Sequence, residues 1–222
     1  MLRTLVPHNV MVESARIAEL LQPFLAADQI CANLPDQLNV YLGLLLKWNA
    51  RVNLTAVREP EQIVTRHFGE SLFAAQFLLE SAGQNSITLA DIGSGAGFPG
   101  VPMKLRTPSI HLTLLESQNK KATFLRELIR TLELRDAEVF GGRAEQWGKL
   151  ADVVTMRAVE QFERALPVAA GVVAPGGRLC LLIGSKQLDS ARKLIGEGWV
   201  WRDPAAIPQS NGRVVAIAAR SS

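Results

Sequence analysis

"LADIGSGAGFPG", residues 89–100, sets an apolar run and an aspartate directly before four glycines, Gly93, Gly95, Gly97 and Gly100. The β-rich run "ITLADIG", ending in such a turn and followed by further strand and helix patterns, reads as the first strand of an open α/β sheet. Ligands of these sheets bind outside the carboxyl ends of the strands, at the point where the strand order reverses. Glycines there permit positive φ and let a ligand touch the backbone. Gly95, Gly97 and Gly100 also satisfy G-x-G-x-x-G in form, a weak signal that many unrelated loops share. The alternative reading of the stretch is a tight left-handed turn beside a solvated acid.

The pattern on either side of the loop gives the architecture. Downstream, "HLTLLES" is a second strand, "QNKKATFLRELIRTLEL" an amphipathic helix and "AEVFGG" a third strand. "DVVTMRAV", the helical "QFERALPVAAGVVA", a "PGG" turn, "RLCLLIG" and the helical "KQLDSARKLIGEG" follow. Alternation of this kind predicts a parallel sheet covered on both faces. The last strands, "WVWRD" and "RVVAIAA", are joined by "PAAIPQSNG", too short for a crossover helix, so they are expected to be antiparallel. The sum is a Rossmann-like, mostly parallel seven-stranded sheet with an antiparallel C-terminal strand pair.

Upstream, from about residue 11 to 80, apolar residues recur at helical spacing. Ile17, Leu20, Leu21, Phe24 and Leu25 form one stripe, and "LPDQLNVYLGLLLKWN" places Leu38, Tyr41, Leu42, Leu45 and Trp48 on one face. A third helix is predicted to begin near "EPEQIVTRHF", where proline and acids suit a helix N-terminus. The boundary is placed in "SAGQNS", giving an N-terminal helical extension over 1–81 and an α/β domain over 82–222 that forms one compact unit.

Bulk composition bounds the partners. The formal net charge is only +3, although the pI is near 9.1. The basic bias lies after residue 85, where 18 basic residues face 13 acidic ones. Arginine, whose planar fork suits phosphates and base edges, supplies most of it. The two cysteines, Cys31 and Cys180, are far apart and lack spacing for zinc or a disulfide framework, so they read as free, buried thiols of a reducing compartment. The opening "MLRTLVPHNV" lacks the apolar core of a signal peptide, and no run approaches a membrane span. A cytoplasmic, metal-free monomer is expected.

The neighbours of the glycine loop narrow its ligand. Asp91, at the strand end, would repel a pyrophosphate but suits a ligand bearing an ammonium and a sulfonium. Pro102 removes an N–H from the helix start that would otherwise cradle phosphate, and Pro99 crowds the same turn. Glu116, at the tip of the second strand, is placed to accept two ribose hydroxyls. These residues favour S-adenosylmethionine over a dinucleotide. After the third strand, "GRAEQW" puts Ala144 and Glu145 where an adenine edge would lie, unless it is an ordinary helix start. Arg157 in "TMRAV" stands at the carboxyl edge of the fourth strand, over the transferred methyl, or else forms a surface ion pair.

The acceptor is read from what is missing. Methylation of exocyclic amines usually shows an Asn/Asp-Pro-Pro-aromatic signature after the fourth strand, and "MRAV" lacks it. Carbon-5 methylation needs a loop cysteine, whereas Cys180 sits within a strand. What remains are acceptors with a lone pair of their own, of which nitrogen 7 of guanine is one. A small molecule or protein as acceptor, or a non-catalytic RNA-binding protein with a relic pocket, stays open at this point.

The stretches "KWNARVNLTAVREPEQIVTRHFGESL", "LADIGSGAGFPGVPMKL", "LLESQNKKATFLREL", "GRAEQW" and "TMRAV", in this order, resemble the RsmG (GidB) family of bacterial small-subunit ribosomal RNA methyltransferases. The resemblance runs over about residues 35–185. It implies transfer of a methyl from S-adenosylmethionine to nitrogen 7 of a guanosine in a decoding-region loop of 16S rRNA. It implies cofactor contacts at Gly93, Phe98, Ala144, Glu145 and Arg157, added to Asp91, Gly95, Gly97 and Glu116 above, with Arg157 the catalytic residue. Glu70 and Glu116 stand where aspartate is common in the family, and the tail beyond about 190 matches little. For the RNA, Asn53 offers a base edge, Arg66 and His67 would line the acceptor pocket, and Lys120 and Lys121 offer phosphate contacts. Against this, Asn53 and Thr55 equally suit a chain turn, and the two lysines a solvated helix face.

Overall fold

The computed structural model describes residues 12–79, 86–159 and 161–222; the opening decapeptide and the expected boundary at 81–82 lie outside them. Five parallel strands, β1 (Thr88–Ile92), β2 (His111–Leu115), β3 (Ala137–Phe140), β4 (Ala151–Arg157) and β5 (Val173–Gly184), lie in the order β3-β2-β1-β4-β5. Beyond β5 the sheet continues with β8 (Arg213–Arg220), antiparallel both to β5 and to β6 (Trp199–Trp201). The expected sheet is therefore present, with one addition, the two-residue β7 (Ala205–Ala206) on β8. The order reverses between β1 and β4, which opens a cleft at their carboxyl ends.

Alternation along the strands divides the interior into two layers. Leu89, Val153, Cys180 and Ile217 face α5 (Gly100–Arg106), α6 (Asn119–Thr131) and the N-terminal helices. Ala90, Val154, Leu181 and Ala216 face α7 (Phe162–Gly171) and α8 (Leu188–Ile195). The N-terminal helices are α1 (Ser14–Leu21), α2 (Leu34–Asn49), α3 (Pro60–Ile63) and α4 (Glu70–Leu79), with a π-helical turn, Val64–Gly69, between the last two. In α2, Pro35 and Asp36 lie in the first turn and Lys47 in the last, as the helix dipole favours. Its Leu38, Tyr41, Leu42 and Leu45 are buried in the same layer as the sheet residues, each worth roughly 1.5–3 kcal/mol of burial.

Several expectations are corrected. The first helix ends at Leu21, and Phe24 and Leu25 are buried from the turn that follows. α7 stops at Gly171 because Val173 already pairs with Ala151 in β5. The "PGG" at 175–177 lies within β5 as a bulge, since Ala151 pairs with Val173 but Val153 with Arg178. Cys31 is exposed, whereas Cys180 is buried and its thiol is pushed up to about 12 by that burial.

Candidate active site

The glycine loop closes the cleft from one side. Gly93, Gly95 and Gly97 all have positive φ, at 64°, 56° and 91°. Gly97 is required twice over, because a Cβ there would also lie 2.6 Å from the Tyr41 hydroxyl. That hydroxyl donates to the Ala96 carbonyl, so α2 holds the loop from behind. Glu116 accepts from Gly95 N–H at 3.0 Å with one oxygen and from Gln118 N–H at 2.8 Å with the other, fixing the loop to the end of β2.

Asp91 belongs to the support, not to the lining. Strand alternation turns it toward α5, where it is fully buried and accepts from Thr155 Oγ1 at 2.8 Å and Gly100 N–H at 3.3 Å. Burial raises its carboxyl to about 7, although these donors oppose the shift. The expected direct contact of Asp91 with a cationic ligand is corrected accordingly.

The opposite side is built by the N-terminal helices. Asn49, the last residue of α2, accepts from Leu54 and Thr55 N–H and donates to the Thr55 carbonyl, which folds residues 50–55 into a turn. Thr55 then meets His67 of the π turn, Oγ1 to Nε2 at 2.7 Å. A π turn spaces its carbonyls differently from an α-helix and often marks a functional position. Here the Arg66 carbonyl accepts from Arg157 Nη2 at 2.7 Å.

Arg157 ends β4 and ties the two sides together. Its side chain is only 10% exposed, and Nη2 also donates to Glu70 Oε2 at 3.0 Å and lies 3.0 Å from His67 Nδ1. Glu70, itself 1% exposed, turns its other oxygen to Arg213 of β8, at 2.5 Å from Nη2 and 3.1 Å from Nε. One buried carboxylate therefore holds two arginines that are far apart in sequence. Burial lowers the Arg157 guanidinium to about 10, with the Glu70 charge opposing, so it stays protonated at neutral pH. Burial together with the charges of Arg157 and Arg66 holds the His67 ring down at about 3. Phe98 stacks on His67 with ring centroids 4.8 Å apart, and Arg157 lies 5.9 Å from the Phe98 centroid.

Between these walls lies a cavity of about 480 Å³, to which Gly93, Gly95, Phe98, Glu116, Arg66, His67, Lys121 and Arg157 all contribute. A smaller recess of about 180 Å³ shares Gly93, Ser117 and Val159 with it and is lined by Ile92, Leu115, Ala144, Glu145, Ala165 and Val168. Four further candidates lie outside both. Asp91 and Gly97 are buried behind the loop, Lys120 projects from α6 into solvent while its neighbour Lys121 faces the cavity, and Asn53 is exposed on the turn. The turn's organiser is Asn49, not Asn53. Trp48 donates from Nε1 to Glu127 at 3.1 Å and packs edge-on against Phe124, a structural position. Among the described residues no group of three or more His, Cys, Asp or Glu could hold a metal ion.

Sequence spacing missed Tyr41 as the support of the loop, Thr55 as a cavity residue tied to His67, and Arg213 as the second partner of Glu70. Tyr41 was visible as the one hydroxyl on the face of Leu38, Leu42, Leu45 and Trp48. Arg213 offers no local signal, because its partner is 143 positions away.

The recess carries apolar side chains, Ile92, Leu115, Val159, Ala165 and Val168, beside the polar Arg143 and Glu145, and it adjoins the cavity that Glu116 lines, so the two together could hold a cofactor with a planar base and a polar arm. The family model described as rRNA small subunit methyltransferase G matches residues 35–197 of this chain. Ribosomal RNA small subunit methyltransferase G of Stenotrophomonas maltophilia strain K279a is 36% identical over 198 residues, 87% of this chain and 90% of that protein. The protein of the same description from Xanthomonas campestris pv. campestris strain B100 is 39% identical over 173 residues, 77% of each chain. Among solved structures, magnesium protoporphyrin IX methyltransferase from Synechocystis PCC 6803 with bound SAM superposes with a TM-score of 0.63 at 14% identity, covering 82% of this chain and 97% of that one. At that identity it establishes the methyltransferase fold.

Proposed function

The chain belongs to the rRNA small subunit methyltransferase G family, and on that premise we propose that it transfers a methyl group from S-adenosylmethionine to nitrogen 7 of a guanosine in a decoding-region loop of 16S rRNA. Glu116 would accept the ribose hydroxyls, the recess beside Ala144 and Glu145 would take the adenine, and the backbone at Gly93 and Gly95 would meet the methionine portion. Bound there, S-adenosylmethionine supplies a methyl group on a positively charged sulfur.

One observation carries the choice of acceptor: the proton-accepting groups of the cavity are already committed. Both nitrogens of His67 are in hydrogen-bonding contact and its ring is held neutral. Glu116, the other proton acceptor of the lining, holds a backbone N–H on each oxygen, and its remaining lone pairs are those assigned to the ribose hydroxyls. An acceptor in this cavity must bring its own lone pair, and nitrogen 7 of guanine does so at neutral pH. The work left to the protein is alignment of that lone pair with the methyl, with Arg157 orienting the base and keeping the reacting atoms in line.

The N-terminal extension, over 1–81, completes the RNA-binding cleft on the α/β domain of 82–222. Arg66 and Lys121 on the cavity rim, with Lys120 and Asn53 outside it, would meet the RNA backbone and flanking bases. The partner is 16S rRNA or the small subunit, and the protein acts as a cytoplasmic, metal-free monomer.

The test is methylation of small subunits or their rRNA by the purified protein with isotopically labelled S-adenosylmethionine, followed by digestion to nucleosides. Label confined to 7-methylguanosine from one loop is expected. Label in another nucleoside, or in protein or small molecules but not RNA, would overturn the reading.

A further inference from the structure

We propose that Thr55 is a specificity-determining residue whose hydroxyl hydrogen reads the exocyclic oxygen of the acceptor base. The inference rests on the guanosine reading above and deepens it by assigning how the base is told apart from other purines.

The direction of every hydrogen in the Arg157–His67–Thr55 chain follows from its chemistry. A guanidinium nitrogen only donates. Arg157 Nη2 has two hydrogens for three neighbours, the Arg66 carbonyl, Glu70 Oε2 and His67 Nδ1, so one hydrogen is shared; facing that donor at 3.0 Å, Nδ1 presents its lone pair, and we assign the proton of the neutral ring to Nε2. That N–H, 2.7 Å from Thr55 Oγ1, donates to the hydroxyl. Val57 N–H donates to the same oxygen at 3.1 Å. Thr55 Oγ1 thus accepts twice and has used both lone pairs. Its own hydrogen has no acceptor among the described residues, and the side chain lines the main cavity beside His67, Phe98 and Arg157.

A hydroxyl hydrogen on a cavity wall that finds no acceptor in the protein calls for an acceptor on the ligand. Guanine offers two acceptors on the edge it would turn to this wall, nitrogen 7 and oxygen 6. Nitrogen 7 must keep its lone pair for the methyl group, which leaves oxygen 6. Adenine, or any purine with an amino group at position 6, would set a second donor against the hydroxyl.

The test replaces the target guanosine of 16S rRNA with 2,6-diaminopurine, which keeps nitrogen 7 and exchanges oxygen 6 for an amino group. Both RNAs, assembled into small subunits, compete for the full-length protein, and methylation at nitrogen 7 of each is read by mass analysis. Wild type is expected to prefer guanosine by at least about a hundredfold, below the ~10⁴-fold that a fully closed hydrogen-bonding site reaches because this cavity is open to solvent. Thr55→Val, which keeps shape but removes the hydroxyl, should lower that preference about tenfold, and Thr55→Ser should restore it. S-adenosylmethionine binding by the valine variant, measured by calorimetry, should match wild type.

A wild-type preference under threefold overturns the inference without recourse to any variant. So does an unchanged preference in a valine variant that still binds S-adenosylmethionine. Methylation of neither base overturns both this inference and the guanosine reading, whereas methylation of guanosine with an unchanged preference overturns this inference alone.

Discussion

The two walls of the cavity are made in different ways. The glycine-loop wall comes from one continuous run, β1 through the end of β2, and is held by backbone donors on Glu116 and Asp91. The helical wall is gathered from the turn at 54–57, the π turn at 64–69, the end of β4 and β8 of the C-terminal strands, and is held by one buried carboxylate between two arginines. A wall made from neighbouring chain keeps its shape through many small contacts. A wall made from distant chain depends on a few large ones, so single substitutions should separate the two.

The largest effect is expected at Glu70. Its removal leaves Arg157 buried without its anionic partner, and breaking a buried pair of this kind costs about 3–5 kcal/mol. Glu70→Ala should therefore lower the denaturation midpoint strongly by chemical melting, whereas Glu116→Ala, on the other wall, should change it far less. Comparable losses in the two variants would erase the distinction between the walls.

Next comes Arg157→Lys, which preserves charge but not the planar fork that reaches the Arg66 carbonyl, His67 and Glu70 together. Methyl transfer should fall by roughly 10²-fold, the scale of losing one oriented donor at a reacting centre. Affinity for S-adenosylmethionine should change by less than about tenfold, because the glycine-loop wall remains. Equal losses of affinity and rate, in calorimetry and single-turnover kinetics, would show that the walls do not act separately.

A third contrast is a pH dependence of opposite sign in the two walls. His67 titrates near 3 in the folded protein against 6.5 ordinarily, so its contribution to stability is complete above about pH 6.5 and is lost as pH falls toward 3. Asp91 titrates near 7 against 3.8, so its contribution is complete below about pH 3.8 and is lost as pH rises toward 7. Relative to wild type, His67→Gln should gain stability as pH falls through the first window, and Asp91→Asn as pH rises through the second. Denaturant titrations across pH 4 to 6.5 check this, and slopes of the same sign would contradict it.

The contrast also explains what could be read before the fold was known. The succession of strands and helices along the chain, the glycine loop and the place of Glu116 at the end of the second strand were legible because period-two and period-3.6 patterns and turn chemistry are local properties of the chain. Arg157 was legible as the residue that ends the fourth strand. Asp91 was identified but misplaced, because its charge suggested a ligand while the alternation that buries it puts it level with Thr155 on the neighbouring strand. Lys120 and Lys121 were treated alike, although one position of helical phase separates the cavity from solvent. The Glu70–Arg213 pair was not legible at all, since nothing local to Arg213 marks its partner.

The central claim is tested most directly by mass analysis of small-subunit rRNA from cells with and without this protein. The account predicts 7-methylguanosine at one decoding-region position in the first and unmodified guanosine there in the second. Equal 7-methylguanosine at that position in both would contradict it.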